Sequence, residues 1–412
     1  MQDPKPTGPL PTKGTTTVTV GPSTPPAPPG PPHGNPCAAA FWQNGDHPQK
    51  HNFYLDSNGT VHDVWFNYAS NGYGYQTLND GGVAGGPPAA QGNLDVWAYR
   101  HQFHIFYRSP DGTIWDPWWN DASLGWTTQR ITMGGCTTGP YAVGQPTVNN
   151  YHDGLHVFYR AADGTIWDSW YASNNTWNLQ RINNGGVAGG PAASSDVSVT
   201  EYNDQQHVIF CTPDGHVWDC WFNGPSNGWT NQQLNLGGNT GAPAALPTGR
   251  PCACWYQNQQ HNVYRDNNGI LWDCWYNGAN NGWTFQQING PGGLCPGASP
   301  AVADPVVVQY NGGGGQLESP TMRVIYTDAG DNLWDCFYDS GDCQWHSDRL
   351  NGNGRTSAPG IVGTPCPYVF QDNGDSATEL HLISRARDGS IWDITTNTWT
   401  PNWSASQLAT CS

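Results

Sequence analysis

The segment DGTIWDPWW, residues 111–119, recurs along this chain. DGTIWDSWY (163–171), DGHVWDCWF (214–222) and NGILWDCWY (268–276) are close copies, while NGTVHDVWF (58–66), DNLWDCFY (331–338) and DGSIWDITT (388–396) are looser ones. Seven copies spaced 51 to 62 residues apart constrain the fold more than composition does, because a unit repeating at this period buries its apolar face against its own neighbours. Each unit carries four strand-like runs; in the second they are LDVWAYR (94–100), HIFYR (104–108), TIWDPWW (113–119) and WTTQRI (126–131). Asp-Gly between the second and third runs supplies the positive φ a hairpin needs. GGVAGGPPAA (81–90), GGVAGGPAA (185–193) and GGNTGAPAA (237–245) join one unit to the next. The expectation is an all-β chain, a seven-bladed β-propeller of four-stranded antiparallel blades spanning residues 37–412. Residues 1–36 are rich in Pro, Thr and Gly and read as a disordered linker or stalk. NGGGGQLES (311–319) and NGDSAT (373–378) read as extended loops between first and second strands.

Composition supports this pattern and narrows the partners. Only 11% of residues are charged, against 52 Gly, 34 Pro and 22 Trp, which suits short strands and tight turns rather than helices. A formal charge of −17 with no Lys beyond Lys50 argues against nucleic acid or an anionic membrane as partner. No apolar run is long enough to span a bilayer, and residues 1–36 lack a charged-then-apolar signal pattern. Twelve Cys and three sequons, at Asn58, Asn174 and Asn402, favour a secreted, oxidising setting. Cys252 and Cys254 form a lone CxC without a matching pair at zinc spacing, so no metal or cofactor is expected. Cys37 and Cys411 bracket the repeats and are the expected disulfide staple between first and last blade, whereas Cys220, Cys274 and Cys336 share one strand-three slot and read as small buried residues.

Two further slots repeat. Twelve residues before Asp63, Asp116, Asp168, Asp219, Asp273, Asp335 and Asp393 stand His51, His104, His156, His207, His261, Arg323 and His381. A regular hairpin centred near Pro110 makes His104 and Asp116 direct cross-strand neighbours. On the fourth strand the second slot holds Tyr73, Trp126, Trp177, Trp229, Trp283, Trp345 and Trp403. In a propeller such an aromatic lies beside the His-Asp pair of an adjacent blade, a flat apolar wall next to fixed polar groups. A pyranose needs that combination, its C–H face on the ring and its hydroxyls on donor and carboxylate. The alternative for His-Asp is a structural lock between strands two and three, and for the strand-three Trp set (Trp115, Trp167, Trp218, Trp272, Trp334, Trp392) it is core packing. Blade 1, with His62 in the Trp slot, and blade 7, with Thr395-Thr396, are the blades expected to have lost binding.

The run HVFYRAADGTIWDSWY (156–171) resembles the blade pattern of bacterial seven-bladed fucose-binding lectins and, more distantly, that of the six-bladed fungal fucose-specific lectins. The fungal resemblance implies sugars held between blades by an Arg on strand two, a Glu on strand three and an aromatic of a neighbouring blade. The matching positions here are His104-Asp116, His156-Asp168, His207-Asp219, His261-Asp273 and Arg323-Asp335, with Trp126, Trp177, Trp229, Trp283 and Trp345 as the aromatics. His for Arg and Asp for Glu shift the polar groups by a bond length or more. The implied function is a non-enzymatic, multivalent lectin for fucosylated or related glycans, on glycoproteins among other carriers. Two rivals remain at this stage. SPDGTIW (109–115) is similar to the Asp-box of sialidases, but glycoside cleavage requires one asymmetric site with two carboxylates about 5 to 9 Å apart. A scaffold for protein partners is compatible with the fold.

Overall fold

A computed structural model of the chain describes residues 32–41, 49–67, 72–100, 102–120, 125–278, 281–295, 297–310, 321–371, 378–397 and 402–409. These residues form seven four-stranded antiparallel sheets, each built from four consecutive strands, with no helix. In blade 3 the strands are Thr147–Tyr151, Gly154–Arg160, Ile166–Tyr171 and Trp177–Arg181, in that spatial order. The first strands of neighbouring blades lie against one another all the way round, blade 7 against blade 1 included, so the seven sheets close into a ring with the first strands lining its centre. The all-β seven-bladed propeller is the observed fold.

Strand boundaries follow the repeat. Alternating apolar residues of strands two and three, such as Val157 and Tyr159 or Ile166, are fully buried, and each blade's core cluster takes in the facing side of its neighbour: Phe53 and Leu55 of blade 1 pack with Phe103, Ile105 and Tyr107 of blade 2. The strand-three Trp is the rivet of the hairpin. Trp115 and Trp167 donate their indole N–H to Thr113 and Thr165 of the preceding turn at 2.8 Å, and Trp392 does the same to Ser390. The Gly of that turn takes the left-handed conformation its position demands (Gly164, φ 77°), with a backbone carbonyl 2.7 Å from where a Cβ would sit.

Two sequence expectations change. The first strand of blade 1 spans Pro32–Phe41, so residues 32–36 belong to the propeller; residues 1–31 lie outside the described residues. Residues 311–319 and 373–377 also lie outside them, as does Cys411. The expected Cys37-Cys411 staple therefore falls outside the described residues; Cys37 lies against Cys366 of blade 7 with sulfurs 3.9 Å apart, too far for a disulfide, and no disulfide joins the described cysteines. His104 pairs in register with Trp118 rather than Asp116, and His156 with Trp170. The hairpin centre falls on Asp111, one residue later than expected, because the Asp111 carboxylate accepts from the Thr113 backbone N–H at 3.0 Å and fixes a five-residue turn.

Candidate functional site

That register places each Asp two positions along from its His. Side-chain direction has period two, so both remain on one face, as diagonal neighbours bridged by the imidazole. His104 Nδ1 lies 2.9 Å from Asp116 Oδ2, and equivalent contacts of 2.9–3.0 Å join His51-Asp63, His156-Asp168, His207-Asp219, His261-Asp273 and His381-Asp393. Arg323 Nη1 donates to Asp335 in blade 6. From the other side a strand-four Gln donates to the same carboxylate: Gln76, Gln129, Gln180, Gln232 and Gln286, at 2.8–3.1 Å. Asp63, Asp116, Asp168, Asp219, Asp273 and Asp335 are 0% exposed, so a ligand on the surface meets other atoms first. Each of these carboxylates works from behind, orienting the His or Arg in front of it. His156 is held further by parallel rings, Phe158 at 6.0 Å and Trp170 at 5.9 Å.

The fourth-strand Trp residues do stand in the grooves between blades. Trp126 packs on the core shared with blade 1, Trp177 on that with blade 2, and Trp229, Trp283 and Trp345 likewise on the preceding blade. All are half-buried. The direct view of a cation beside such a ring is at blades 6 and 7, where the Arg323 guanidinium is 5.8 Å from the Trp403 ring, 5.6 Å from Tyr310 and 4.7 Å from Phe337. Pair and aromatic therefore come from adjacent blades, the aromatic from the following one.

Sequence reasoning missed two contributors to these grooves. The residue three after each Asp (Trp119, Tyr171, Phe222, Tyr276, Tyr338) lies 5.5–5.9 Å from the fourth-strand Trp of its own blade. The Tyr ending the first strand meets that aromatic of the next blade edge-on, as in Tyr99-Tyr171 at 6.5 Å and Tyr202-Tyr276 at 6.4 Å. Its hydroxyl also donates across the groove to the turn of the next blade: Tyr99 to Asp153 O at 2.6 Å, Tyr151 to Asp204 O at 2.8 Å and Tyr202 to Asn258 O at 3.0 Å. The signal was the aromatic in WDxWY and the Tyr before each first turn, both visible in the repeats.

Blade 7, expected to have lost binding, keeps an open cavity of about 250 Å³ lined by Glu379, Thr395, Thr396, Asn397, Asn402, Trp403 and Ser404. Thr395 and Thr396 replace two bulky aromatics, and the space those rings fill elsewhere stays empty. Glu379 anchors the floor: it lies 3.0 Å from His381 Nε2 and 2.5 Å from Lys50 Nζ of blade 1. The hydrogen bond from His381, with Lys50 adding to it, holds the Glu379 carboxyl down at about 2. Burial disfavours the charged imidazole of His381, but Asp393 and Glu379, one on each ring nitrogen, outweigh it and raise its pKa. Among the described residues no group of three or more His, Cys, Asp or Glu side chains is arranged to hold a metal ion.

No protein-family model and no curated protein sequence matches the chain. Solved structures do match: BP39L, a lectin from Burkholderia pseudomallei, is 17% identical and superposes with a TM-score of 0.62 over 90% of this chain and 98% of its own. The fold is shared with a lectin. AofleA from Arthrobotrys oligospora (10% identical, TM-score 0.49, 78% of this chain and 90% of its own) is also similar. So is a mutant Aleuria aurantia lectin in complex with alpha-methyl-L-fucoside (12%, 0.48, 93% and 98%). The expected resemblance to propeller lectins is thus met at the level of the fold.

Proposed function

We propose that this protein is a non-enzymatic, multivalent lectin, exported from the cell, that takes fucosylated or related neutral glycans in the grooves between blades. The observation that carries the reading is the cavity on blade 7, in which one Trp face, 5.8 Å from Arg323 of blade 6, stands beside hydroxyl and amide side chains with a single ionised carboxylate, the combination a pyranose uses. In the other grooves the stacking surfaces are Trp126, Trp177, Trp229, Trp283 and Trp345. Beneath them His104, His156, His207 and His261 are buried with their partners Asp116, Asp168, Asp219 and Asp273 and shape the groove floor, while Asp335 orients Arg323, which lies beside Trp403. A glycosidase would need a proton donor, and Glu379, the acid in this cavity, is held ionised to about pH 2.

Each site should contribute about −4 to −6 kcal/mol, with avidity gains of roughly 10²- to 10⁴-fold on a multivalent surface. A glycan array probed with free L-fucose as competitor tests this. Binding inhibited by fucose supports both lectin function and ligand, and binding that fucose leaves intact keeps the lectin and discards the ligand. A blank array overturns the reading and returns the propeller to a scaffold for protein partners.

A further inference from the structure

The sevenfold pattern breaks down at the mouth of the central channel. The residue preceding the last aromatic of each first strand is Ala40, Ala98, Asn150, Glu201, Trp255, Gln309 and Val369 in turn, with only Ala occurring twice. Trp255 is 50% exposed, the one Trp among the described residues left so open. A single exposed ring is ordinary on a protein surface, but this one forms the wall of a cavity beside a carboxylate. Next to it, on the neighbouring first strand, is Glu201, exposed and without an ion pair among the described residues. Together they line a cavity of about 490 Å³ whose remaining walls are Thr200, Tyr202, Asn203 and Asn258. The Tyr202 hydroxyl, donating to Asn258 O at 3.0 Å, ties the two blades together across its floor.

We propose that this cavity, at the first-strand end of the groove between blades 4 and 5 and away from the fourth-strand Trp, is a second ligand site, for a protonated amino sugar. An aromatic face accepts the C–H face of a pyranose and favours a nearby cation. The carboxylate pairs with an ammonium, and hydroxyl and amide groups at the rim suit the remaining hydroxyls. No Lys or Arg stands in the lining to compete for the carboxylate, and the chain's charge of −17 draws cations toward it. A neutral sugar fits the Trp face equally well but leaves Glu201 without a partner.

The test is ligand-observed NMR on the full-length protein below neutral pH, with D-glucosamine as probe and N-acetyl-D-glucosamine as the uncharged comparison. Glucosamine should bind in the millimolar range. Acetylation, Glu201→Gln and Trp255→Ala should each weaken binding at least tenfold. Both substitutions are at exposed positions and should leave the circular dichroism spectrum unchanged. Equal binding of the two sugars, binding that survives Trp255→Ala, or no glucosamine binding at all overturns the proposal. Any of these results leaves the inter-blade sites standing, since those are read by the glycan array.

Discussion

Removing the Asp168 carboxylate would leave His156 Nδ1 and Gln180 Nε2, two donors in a dry site, without an acceptor. Unsatisfied buried donors are costly, so Asp168→Ala should destabilise the protein by about 2–4 kcal/mol in urea unfolding, with glycan binding retained by whatever remains folded. A folded Asp168→Ala protein with unchanged stability and lost binding would instead put the carboxylate in the sugar surface. Asp335 differs in that strand four offers it Asp348 where blades 1 to 5 offer Gln. Burial pushes its pKa up to about 6, against the pull of Arg323. The folded protein therefore holds this proton more tightly than the unfolded chain does. The stabilisation is complete below pH 3.8 and is lost as pH rises through about 6. Asp335→Asn should remove that slope from a plot of stability against pH between 4 and 6. Glu379, held low, has the opposite sign: its contribution is present above pH 4.5 and is lost as pH falls through about 2.

At the level of strands and turns, much was legible because the repeat shows each element seven times. Strand order, the hairpin turns and the fourth-strand aromatics could be read from spacing alone. The pairing register could not, since a turn of five residues rather than three changes the partner by two positions and leaves the face unchanged. The start of the first strand at Pro32 was hidden by composition: HGNP resembles linker, and only packing against blades 2 and 7 makes it a strand. Also unread was the Asn in INNGG, LNLGG and LNGNG. Asn183 accepts from Ile166 N at 2.6 Å and donates to Gly164 O and Pro191 O at 3.0 and 2.8 Å, joining the hairpin to the connection that leaves for the next blade. Asn235 and Asn351 repeat the arrangement. Asn183→Ala should cost about 1–3 kcal/mol, measured by chemical denaturation, with no change in the hairpin turn itself.

For the whole ring, the seam between blades 1 and 7 differs from the other six interfaces. No chain connection joins strand to strand across it, whereas at each other interface the chain runs from the fourth strand of one blade into the first strand of the next. It is joined by apolar packing of Ala38, Tyr54, Tyr368 and Phe370, by Lys50-Glu379, by Thr364 N and Arg385 Nε donating to Asn35 Oδ1 and Gly34 O, and by two thiols that form no disulfide. Opening should start there, so hydrogen exchange of first-strand amides should be faster in residues 32–41 and 361–371 than in residues 147–151 or 198–202. Equal protection around the ring would show that the seam is as strong as any other interface. The cavity of blade 7 has a rim of its own kind. Asn402, exposed and part of its lining, begins the sequon Asn402-Trp403-Ser404. A host that attaches N-glycans would plant an oligosaccharide at the entrance to a proposed sugar site, so the protein would cap itself. Material from a bacterial host and from a glycosylating one should then differ in the binding contributed by blade 7, and Asn402→Gln should erase the difference.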